Sequence, residues 1–491
     1  MATAQQPQTD FVKAISRLDA TALVVGSMIG SGIFIVSAQI VRDVHAPGLL
    51  LLVWALSGVV TLVGALTYGE LAAMFPRAGG QYVYLREGIS PLFGYLYGWT
   101  LFVVIQTGTI AAVAVAFARF TSVLFPSLSP DVFLGGTISF PQPIGPIAVG
   151  LSPQRILAIV SIAVLTWINV RGVRTAAIIQ TTLTTVKTAA LAGLIVLGVT
   201  VGRNPAALAA NFGEHFWPAG GLALSLAPVV AAAMVGSLFS MDAWNNVGFA
   251  GSELKDPKRD LPFAMAVGVL TVTALYLLAN VAYLNVLPAV APGGGGDSIA
   301  SAPQDRVGTA ALQAILGTPG LYVMAVAIMI STFGCNNGLI LSGARVYYAM
   351  ARDDLFFRSA GVLHPQYRTP TVALIVQAVW TSVLCLSGTY SQLLEFVIFA
   401  ALVFYMLTAL GLFALRVKRP RAERPVRVFG YPWFPALYVV LTGLISLALL
   451  AVKTTYSGLG LACVLLGVPV YFGWRAMVKP AAGTAGSPRA G

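Results

Sequence analysis

Residues Gly26–Phe34 read GSMIGSGIF and interrupt an apolar run that covers about residues 18–42. Gly26 and Gly30 are four positions apart, which is also the spacing of small residues where two membrane helices pack closely. The alternative is an unwound midpoint, where the N–H groups of Gly30, Ser31 and Gly32 point from the start of a half-helix towards an anion. The sequence around this stretch decides between the two interpretations.

A second interrupted run follows five apolar runs later. Residues Ser237–Asn246 read SLFSMDAWNN, and Asp242, Asn245 and Asn246 are costly in a regular helix that faces lipid, since they need polar partners or water. Two interrupted helices in corresponding positions of two halves are typical of transporters built from inverted repeats, with a binding site at the bilayer centre. The unwound interpretation is therefore the one adopted for the first stretch.

The composition excludes a soluble protein. Of 491 residues, 57% are apolar and only 9% are charged, whereas soluble domains have about 25% charged residues. The mean hydropathy is +0.84. A soluble enzyme, a nucleic-acid-binding protein and a disordered scaffold are thereby excluded, and no alternating ten-residue pattern of a membrane β-barrel occurs. The chain is predicted to be an all-α integral membrane protein.

Apolar stretches long enough to cross a bilayer predict twelve membrane helices. We expect residues 18–201 to form a first repeat of five helices, residues 202–416 a second repeat of five, and residues 417–479 two extra C-terminal helices after a basic loop. Residues 1–17 are expected to be a cytoplasmic segment and residues 480–491 a disordered tail. The predicted helices cover about residues 18–42, 48–74, 91–124, 153–171, 176–201, 223–249, 261–287, 320–350, 371–388, 393–416, 432–452 and 456–476, and the longer external loops cover residues 125–152 and 288–319.

The positive charges predict the orientation. The net charge is +12, and most Lys and Arg residues lie in segments on one side of the predicted helices, including six within residues 416–427. The other side holds Arg42, Arg203, Arg306 and Lys453. This asymmetry follows the positive-inside rule and predicts a multi-pass protein of the cell (inner) membrane with both termini in the cytoplasm. The charge thus reflects topology and an attraction to membrane lipid rather than a nucleic-acid partner.

Four extended motifs resemble one known family. GSMIGSGIF is followed by YGELAAMFPRAGGQYVYL (Tyr68–Leu85), by FSMDAWNN with GSELKDPKRDLP (Gly251–Pro262), and by STFGCNNGLILSGARVYYAMARDDL (Ser331–Leu355). In this order, over about residues 15–420, they resemble the amino acid–polyamine–organocation superfamily and its L-type amino acid transporter branch. The resemblance implies amino acid transport and the five-plus-five inverted-repeat fold of the sodium-coupled leucine transporter.

The resemblance also implies how a substrate is held. The α-carboxylate of an amino acid would bind the N–H groups of Gly30, Ser31 and Gly32, as the positive end of a half-helix favours. The α-ammonium group would bind carbonyl groups of Met28, Phe239 and Asp242, with the Phe239 ring as the outer lid. The complete predicted substrate-binding set, at or beside the two breaks, is Met28, Ile29, Gly30, Ser31, Gly32, Phe239, Ser240, Asp242, Trp244 and Asn245.

The side chain of Asp242 has two interpretations. It stands where animal L-type members often have a small residue, so one hypothesis is that its carboxylate selects cationic or small polar substrates. The alternative is a structural role, in which the carboxylate is hydrogen-bonded within the second break or to Trp244 and Asn245.

Lys187 lies near the centre of the fifth predicted helix, in TTVKTAALAGLIV. A lysine at this depth costs about 2.5–3.5 kcal/mol on insertion scales and must face the protein interior, unless it reaches an interface. In the resembled family, some members place a fifth-helix lysine where sodium-coupled relatives bind sodium. Lys187 is therefore predicted to substitute for sodium beside the first break. As a second possibility, binding and release of a proton by its amine would couple substrate transport to proton transport.

Other polar residues were assigned to gating and packing. Glu70 is predicted to pair with Arg77 or another cytoplasmic base rather than to carry protons. Arg345, with Arg352, is predicted to belong to an inner gate. Tyr405 is assigned to packing, with the cavity wall as an alternative. Cys335, Cys385 and Cys463 are predicted to be buried thiols, and no metal site, ATP-binding motif or cofactor is expected.

The sequence thus predicts a secondary amino acid transporter that works by alternating access. Sodium-independent exchange and proton-coupled symport stay open as its mode, and a sensor or a channel on the same scaffold is the alternative. An integral-membrane enzyme would need a cluster of acids, histidines or a metal motif, which the sequence lacks. The loop at about residues 125–152 has no cysteine, whereas animal L-type relatives pair there through one, so no disulfide-linked partner is expected.

Overall fold

A computed structural model describes residues 11–139, 148–291, 297–387, 390–452 and 454–478. The predicted tail at residues 480–491 lies outside these ranges, as do Lys453 and most of residues 1–17. Ten helical segments of the described residues are long and apolar enough to cross a membrane. Two shorter apolar helices, Leu224–Ser240 and Thr371–Leu386, lie where the sixth and ninth membrane helices were predicted.

The described residues up to position 199 contain eight helices. Several of them begin with proline in their first turn, where its missing N–H costs no hydrogen bond. The helix α1 begins with a capping box, because Ser16 accepts from the N–H of Asp19 and the Asp19 carboxylate accepts from the N–H of Ser16. A π-helical turn, Leu101–Ile105, joins α5 to α6. These helices are α1 (Arg17–Met28), α2 (Gly32–Val44), α3 (Pro47–Met74), α4 (Gln81–Gly88), α5 (Pro91–Thr100), α6 (Gln106–Leu124), α7 (Pro153–Val170) and α8 (Val173–Val199).

The described residues from position 205 onwards contain ten further helices. Three of them, α9, α11 and α13, have only four to ten residues. The helices are α9 (Pro205–Phe212), α10 (Ala227–Ser240), α11 (Asn246–Phe249), α12 (Pro257–Val286), α13 (Val307–Leu316), α14 (Thr318–Arg352), α15 (Thr371–Ser387), α16 (Tyr390–Lys418), α17 (Trp433–Val452) and α18 (Thr454–Val478).

The structure adds local elements in segments that were predicted as loops. A short antiparallel hairpin, β1 (Leu134–Ser139) and β2 (Ala148–Leu151), lies in the loop at residues 125–152, so the chain is not entirely helical as predicted. The helices α9 and α13 also lie between predicted membrane helices. Short elements of this kind carry no 20-residue apolar signal, which is why the hydropathy pattern does not predict them.

The core is formed around α1, α10, α12 and α14. The helix α12 packs against α3 and α1, whereas α14 packs against α6 and α8. Lipid-facing helices differ, since exposed apolar side chains such as Leu444 and Leu447 cover the outside of α17. The interrupted helices α1–α2 and α10–α11 are thereby enclosed by continuous ones, and this arrangement places both breaks in the protein interior.

Candidate functional site

The first helix is interrupted at Ile29–Ser31. The helix α1 ends at Met28, where the N–H of Ile29 still donates to the carbonyl of Val25 at 2.9 Å, and α2 begins at Gly32. The unwound midpoint that the sequence predicts is thus present. The N–H of Gly30 is not free, however, because it donates to the Met28 carbonyl at 2.8 Å. This contact occupies one predicted donor and one predicted acceptor of the substrate site together.

The second interruption covers the five residues between Ser240 and Asn246. The N–H of Asp242 donates to the carbonyl of Phe239 at 3.1 Å, and Ala243 has a positive φ of 67°. A left-handed residue cannot continue a right-handed helix, so the chain turns here. The Phe239 carbonyl therefore already has a donor in this conformation.

The two breaks lie against each other. A Cβ atom at Gly32 would be 3.0 Å from the Cα of Ser240 and would overlap the side chain of that serine, so only glycine allows this approach. The hydroxyl of Tyr276 on α12 donates to the Met28 carbonyl at 2.9 Å and also contacts the Ser240 carbonyl at 3.2 Å. One tyrosine therefore holds the carbonyl ends of both half-helices.

A small cavity lies between the breaks, and every residue that lines it is buried. The lining joins both breaks to α6 and α14, since Thr109 and Val113 come from α6 and Cys335 from α14. The Cys335 thiol donates to the Ser27 carbonyl at 3.0 Å. The lining residues are Ser27, Met28, Gly30, Ser31, Gly32, Thr109, Val113, Phe239, Ser240, Asp242, Ala243 and Cys335.

Asp242 is buried, and its carboxylate accepts a hydrogen bond from the hydroxyl of Tyr405 on α16. For a structural role the sequence predicts partners within the second break, or Trp244 and Asn245, and the N–H of Ala243, which lies within the break, also donates to the carboxylate. The Asn245 amide donates to Gln81 Oε1 at 2.8 Å, and the Trp244 ring packs edge-on against Tyr68 with 4.8 Å between centroids. Asp242 is thus hydrogen-bonded within the break by Ala243, as the structural role predicts, and also by a tyrosine that lies more than 150 residues further along the chain.

Lys187 is buried and reaches the first break from α8. Its ammonium group donates to the carbonyl of Gly26, to that of Ile29 at 2.8 Å and to that of Ser331 at 3.3 Å. Three acceptors match the three donors of an ammonium group. The carbonyl end of the half-helix α1 also carries partial negative charge. Lys187 therefore faces the interior rather than an interface.

Glu70 is fully buried at the inner end of the protein, defined here as the end where α1 and α12 begin and where α3, α14 and α16 finish. Its predicted partner Arg77 is not the one observed. Arg416 makes a bidentate pair with Glu70, at 3.1 and 2.5 Å, and Arg424 donates to it at 3.1 Å. Glu70 therefore pairs with bases, as predicted, but these are Arg416 at the end of α16 and Arg424 in the segment that follows it.

Arg345 is also buried at the inner end. Its guanidinium group pairs with Glu253 at 2.8 Å, and the two side chains are 1% and 0% exposed. The segment before α1 covers this pair, because the N–H of Ile15 donates to the Glu253 carbonyl and the N–H of Lys255 donates to the Ile15 carbonyl, both at 3.0 Å. Arg352, by contrast, is exposed at the end of α14.

Further ion pairs join neighbouring elements at both ends. At the inner end, Arg419 and Arg86 hold Glu87 of α4. Burial alone would raise the pKa of the Glu87 carboxyl, but hydrogen bonds from these two arginines outweigh burial and lower it. At the outer end, Arg42 pairs with Asp305 at 2.8 Å. Ion pairs thus connect neighbouring elements at both ends of the protein.

Sequence reasoning missed several residues at the site. Tyr276, Thr109 and Val113 lie in apolar stretches without a local signal, and Cys335 was assigned to packing. Cys335 is part of the quoted motif STFGCNNG, which was a usable signal. Tyr405 packs against Tyr68 and Trp244, as the packing assignment predicts. It does not line the cavity between the breaks, but it lines a second cavity that also contacts Asp242.

Comparisons with known proteins agree with this geometry. The amino acid permease family matches residues 15–469. The large neutral amino acids transporter small subunit 2 of Rattus norvegicus is 31% identical over 470 residues, which cover 94% of this chain and 80% of the relative. The serine/threonine exchanger SteT of Bacillus subtilis (strain 168) is 30% identical over 465 residues, 94% of this chain and 97% of the relative. The Asc-type amino acid transporter 1 of Mus musculus is 30% identical over 478 residues, 95% and 82% of the two chains. The chain therefore belongs to the amino acid permease family.

Proposed function

We infer that this chain is a secondary transporter that exchanges L-amino acids across a membrane by alternating access. The observation that carries the proposal is the enclosed cavity between two helix breaks, which is where transporters of inverted-repeat design bind substrate. Membership of the amino acid permease family supports it, as do relatives named for transport or exchange of amino acids. Neutral L-amino acids are the proposed substrates, because the relatives' names include large neutral amino acids and serine or threonine.

Substrate binding is proposed to open the contact between Gly30 and Met28. The carboxylate would take the N–H of Gly30, together with those of Ser31 and Gly32 at the start of α2, where the helix dipole favours an anion. Release of that N–H frees the Met28 carbonyl to accept from the α-ammonium group. One local hydrogen bond would thus be exchanged for two contacts to the zwitterion, which makes the site selective for an α-amino acid.

Lys187 is proposed to make transport independent of sodium. Its fixed positive charge holds three carbonyl groups that would otherwise need a cation, and two of these belong to the first break. Proton-coupled symport is the second candidate, since a buried amine is able to bind and release a proton.

Alternating access is proposed to use the ion pairs at the two ends. Opening the inner end would break the Arg345–Glu253 pair and separate the segment at Ile15 from Lys255. Opening the outer end would break the pair between Arg42 and Asp305. Glu70 is proposed to hold the inner end of α3 against the segment after α16. The inner end is proposed to be cytoplasmic, since it carries most of the basic residues.

We propose that the protein is built from two inverted repeats and crosses the membrane twelve times. Residues 18–201 and 202–416 would be the two inverted repeats, with the two half-helix pairs α1–α2 and α10–α11 in corresponding positions, and the chain would cross the membrane twelve times. No disulfide-linked partner is proposed, because Cys335 and Cys385 are buried and residues 125–152 contain no cysteine.

Counterflow in proteoliposomes tests the function. The purified protein is reconstituted with one unlabelled amino acid inside, and uptake of labelled substrate is measured against a panel of twenty amino acids, with and without sodium and a pH gradient. We expect saturable uptake that is stimulated by internal neutral amino acids and is equal in sodium and choline. Uptake without trans-stimulation would point to a channel, saturable binding without uptake to a sensor, and uptake driven by the pH gradient to symport.

The role of Asp242 is tested separately by Asp242→Asn. An asparagine is still able to accept from the hydroxyl of Tyr405, so a structural role predicts unchanged relative affinities for lysine, alanine and leucine. A selective loss of lysine affinity would show instead that the carboxylate recognises substrate charge.

A further inference from the structure

The segment that joins α16 to α17, residues 419–432, is folded rather than extended, and we name it the basic linker. Arg424 is its centre. The guanidinium group of Arg424 donates to Glu70 and to carbonyl groups of the linker itself, including those of Ala422 at 3.0 Å and Arg419 at 3.0 Å. The N–H of Val428 donates to the second oxygen of Glu70 at 2.9 Å. The buried carboxylate therefore fixes which linker side chains face outwards.

Four of the six bases at residues 416–427 have internal partners. Arg416 and Arg424 bind Glu70, Arg419 binds Glu87, and Lys418 donates to carbonyl groups at the end of α4. Arg421 and Arg427 are the other two. Both are exposed, and within the described ranges neither side chain forms an ion pair. The fold has thus used four bases for packing and left two positive charges facing outwards.

Exposed aromatic residues follow these two charges in the chain. Phe429 is 72% exposed and Trp433 is 78% exposed. Trp433 is the first residue of α17, whose 20 residues give a length of about 30 Å, the thickness of the hydrocarbon core. A tryptophan at the end of a membrane helix fits the membrane interface, where this residue is enriched. Arg421 and Arg427 precede α17 in the chain, which fits a position in the headgroup layer.

We propose that the basic linker binds the headgroup of an anionic phospholipid, with Arg421 and Arg427 as the residues that pair with its phosphate. Arginine binds phosphate through two parallel N–H donors. Phe429 and Trp433 would hold the linker at the level of the headgroups. The proposal requires a membrane protein but does not depend on which molecule the protein transports.

The charge complementarity has a calculable size. A basic residue near an anionic membrane surface strengthens binding about five-fold, so removal of both arginines is expected to weaken binding on the order of 30-fold. A general attraction of the basic inner end would behave differently, because any two exposed bases at that end would then contribute equally. Arg259 and Arg352 are exposed bases at the same end, and they provide the matched comparison.

Native mass spectrometry of the detergent-solubilised full chain tests the proposal. The protein is mixed with equal amounts of phosphatidylglycerol and phosphatidylcholine of identical acyl chains, and the bound lipids are counted. We expect the wild-type chain to retain phosphatidylglycerol preferentially. Arg421→Gln with Arg427→Gln should reduce that preference on the order of 30-fold, and each single variant about five-fold. Arg421→Lys with Arg427→Lys keeps the charge but lacks the parallel donors, so it should retain only part of the preference.

The control is Arg259→Gln with Arg352→Gln, which removes the same charge from the same end. A headgroup held by Arg421 and Arg427 does not depend on these two bases, so we expect the preference to stay within about two-fold of the wild type, whereas a general surface attraction would lower it on the order of 30-fold, as in the linker variant. The proposal is overturned if the control loses as much as the linker variant, or if the linker variant keeps the wild-type preference. Thermal unfolding in phosphatidylcholine shows whether each variant is folded. If the double variant is not folded, the two single variants provide the comparison with the wild type. If the wild-type protein shows no amino acid exchange in proteoliposomes, the proposed transport function fails, but the lipid-binding result is unaffected.

Discussion

Replacement of Lys187 by methionine is the sharpest test of the proposed sodium substitute. Methionine has a similar length and no donor. The Gly26 carbonyl loses its contact, and the helix break has already removed its helical donor, so an unsatisfied buried carbonyl costs about 1–3 kcal/mol. The Ile29 carbonyl loses a charged donor worth about 1.5–3 kcal/mol, although the Ser331 hydroxyl still donates to it at 3.1 Å. The hydrogen bonds that hold the first break in its observed conformation are thereby weakened by about 2.5–6 kcal/mol in total.

The same substitution removes a buried charge, which cost about 2.5–3.5 kcal/mol on insertion scales. In the free energy of unfolding, the lost hydrogen bonds and the removed cost of the buried charge largely offset each other. Removal of the charge does not restore the hydrogen bonds that hold the break in shape, so substrate exchange is still impaired. Since each 1.4 kcal/mol is a factor of ten, we expect kcat/KM for exchange to fall at least about fifty-fold. The melting temperature should change by only a few degrees. Labelled exchange in proteoliposomes and thermal unfolding measure the two quantities on the same preparation.

Val186→Met is the matched control, because Val186 is the neighbouring residue on α8 and is 42% exposed on the lipid-facing side. It should leave both exchange and unfolding within error of the wild type. The reasoning about Lys187 is refuted if Lys187→Met exchanges substrate like this control. A wild-type rate that rises with sodium would refute the substitution of sodium by the ammonium group.

Three further predictions concern the ends and the breaks. Glu70→Gln should lower the free energy of unfolding by about 3–5 kcal/mol, because it leaves the nearly buried Arg424 without its counter-charge. The control Glu423→Gln, at an exposed ion pair, should change the free energy of unfolding by less than about 1 kcal/mol. Equal melting temperatures of the two variants would contradict this. Gly32→Ala should abolish exchange through overlap with Ser240, and Gly193→Ala, where a Cβ meets nothing within 4 Å, should be active; an active Gly32→Ala would show that the breaks separate easily. Arg345→Gln should open the inner end and increase labelling of Cys335 by an impermeant thiol reagent when Cys385 and Cys463 are serine, and unchanged labelling would exclude Arg345 from the gate.

The two breaks show how far local sequence reasoning reaches. Gly, Ser and Asp residues within an apolar run conflict with a regular membrane helix, so positions 26–34 and 237–246 identify the interruptions without any tertiary information. The partner of Asp242 shows the limit. Tyr405 lies in an ordinary apolar helix, and its approach to Asp242 depends on how α16 packs against α10. Trp244 and Asn245 are closer in sequence, but the left-handed turn at Ala243 directs them elsewhere.

Glu70 shows the same limit at the inner end. The sequence required a base for a carboxylate at a helix end, and Arg77 is the local candidate. The pairing with Arg416 and Arg424 joins residues about 350 positions apart, and many exposed bases would satisfy the same requirement. Charge alone does not distinguish among them, because the choice is made by the close packing of α3, α16 and the basic linker.

The sequence by itself determined that this is a polytopic membrane protein, where its helices are interrupted, and that Lys187 faces the interior, because the bilayer penalises each unpartnered polar group wherever it occurs. Only the tertiary structure decided which groups satisfy those requirements. It placed Lys187 on the Gly26 and Ile29 carbonyls, Tyr276 across both breaks, and Arg421 and Arg427 outside the packed linker. The cost of an unpaired polar group is a local quantity that composition reveals, whereas its partner depends on the packing of distant helices.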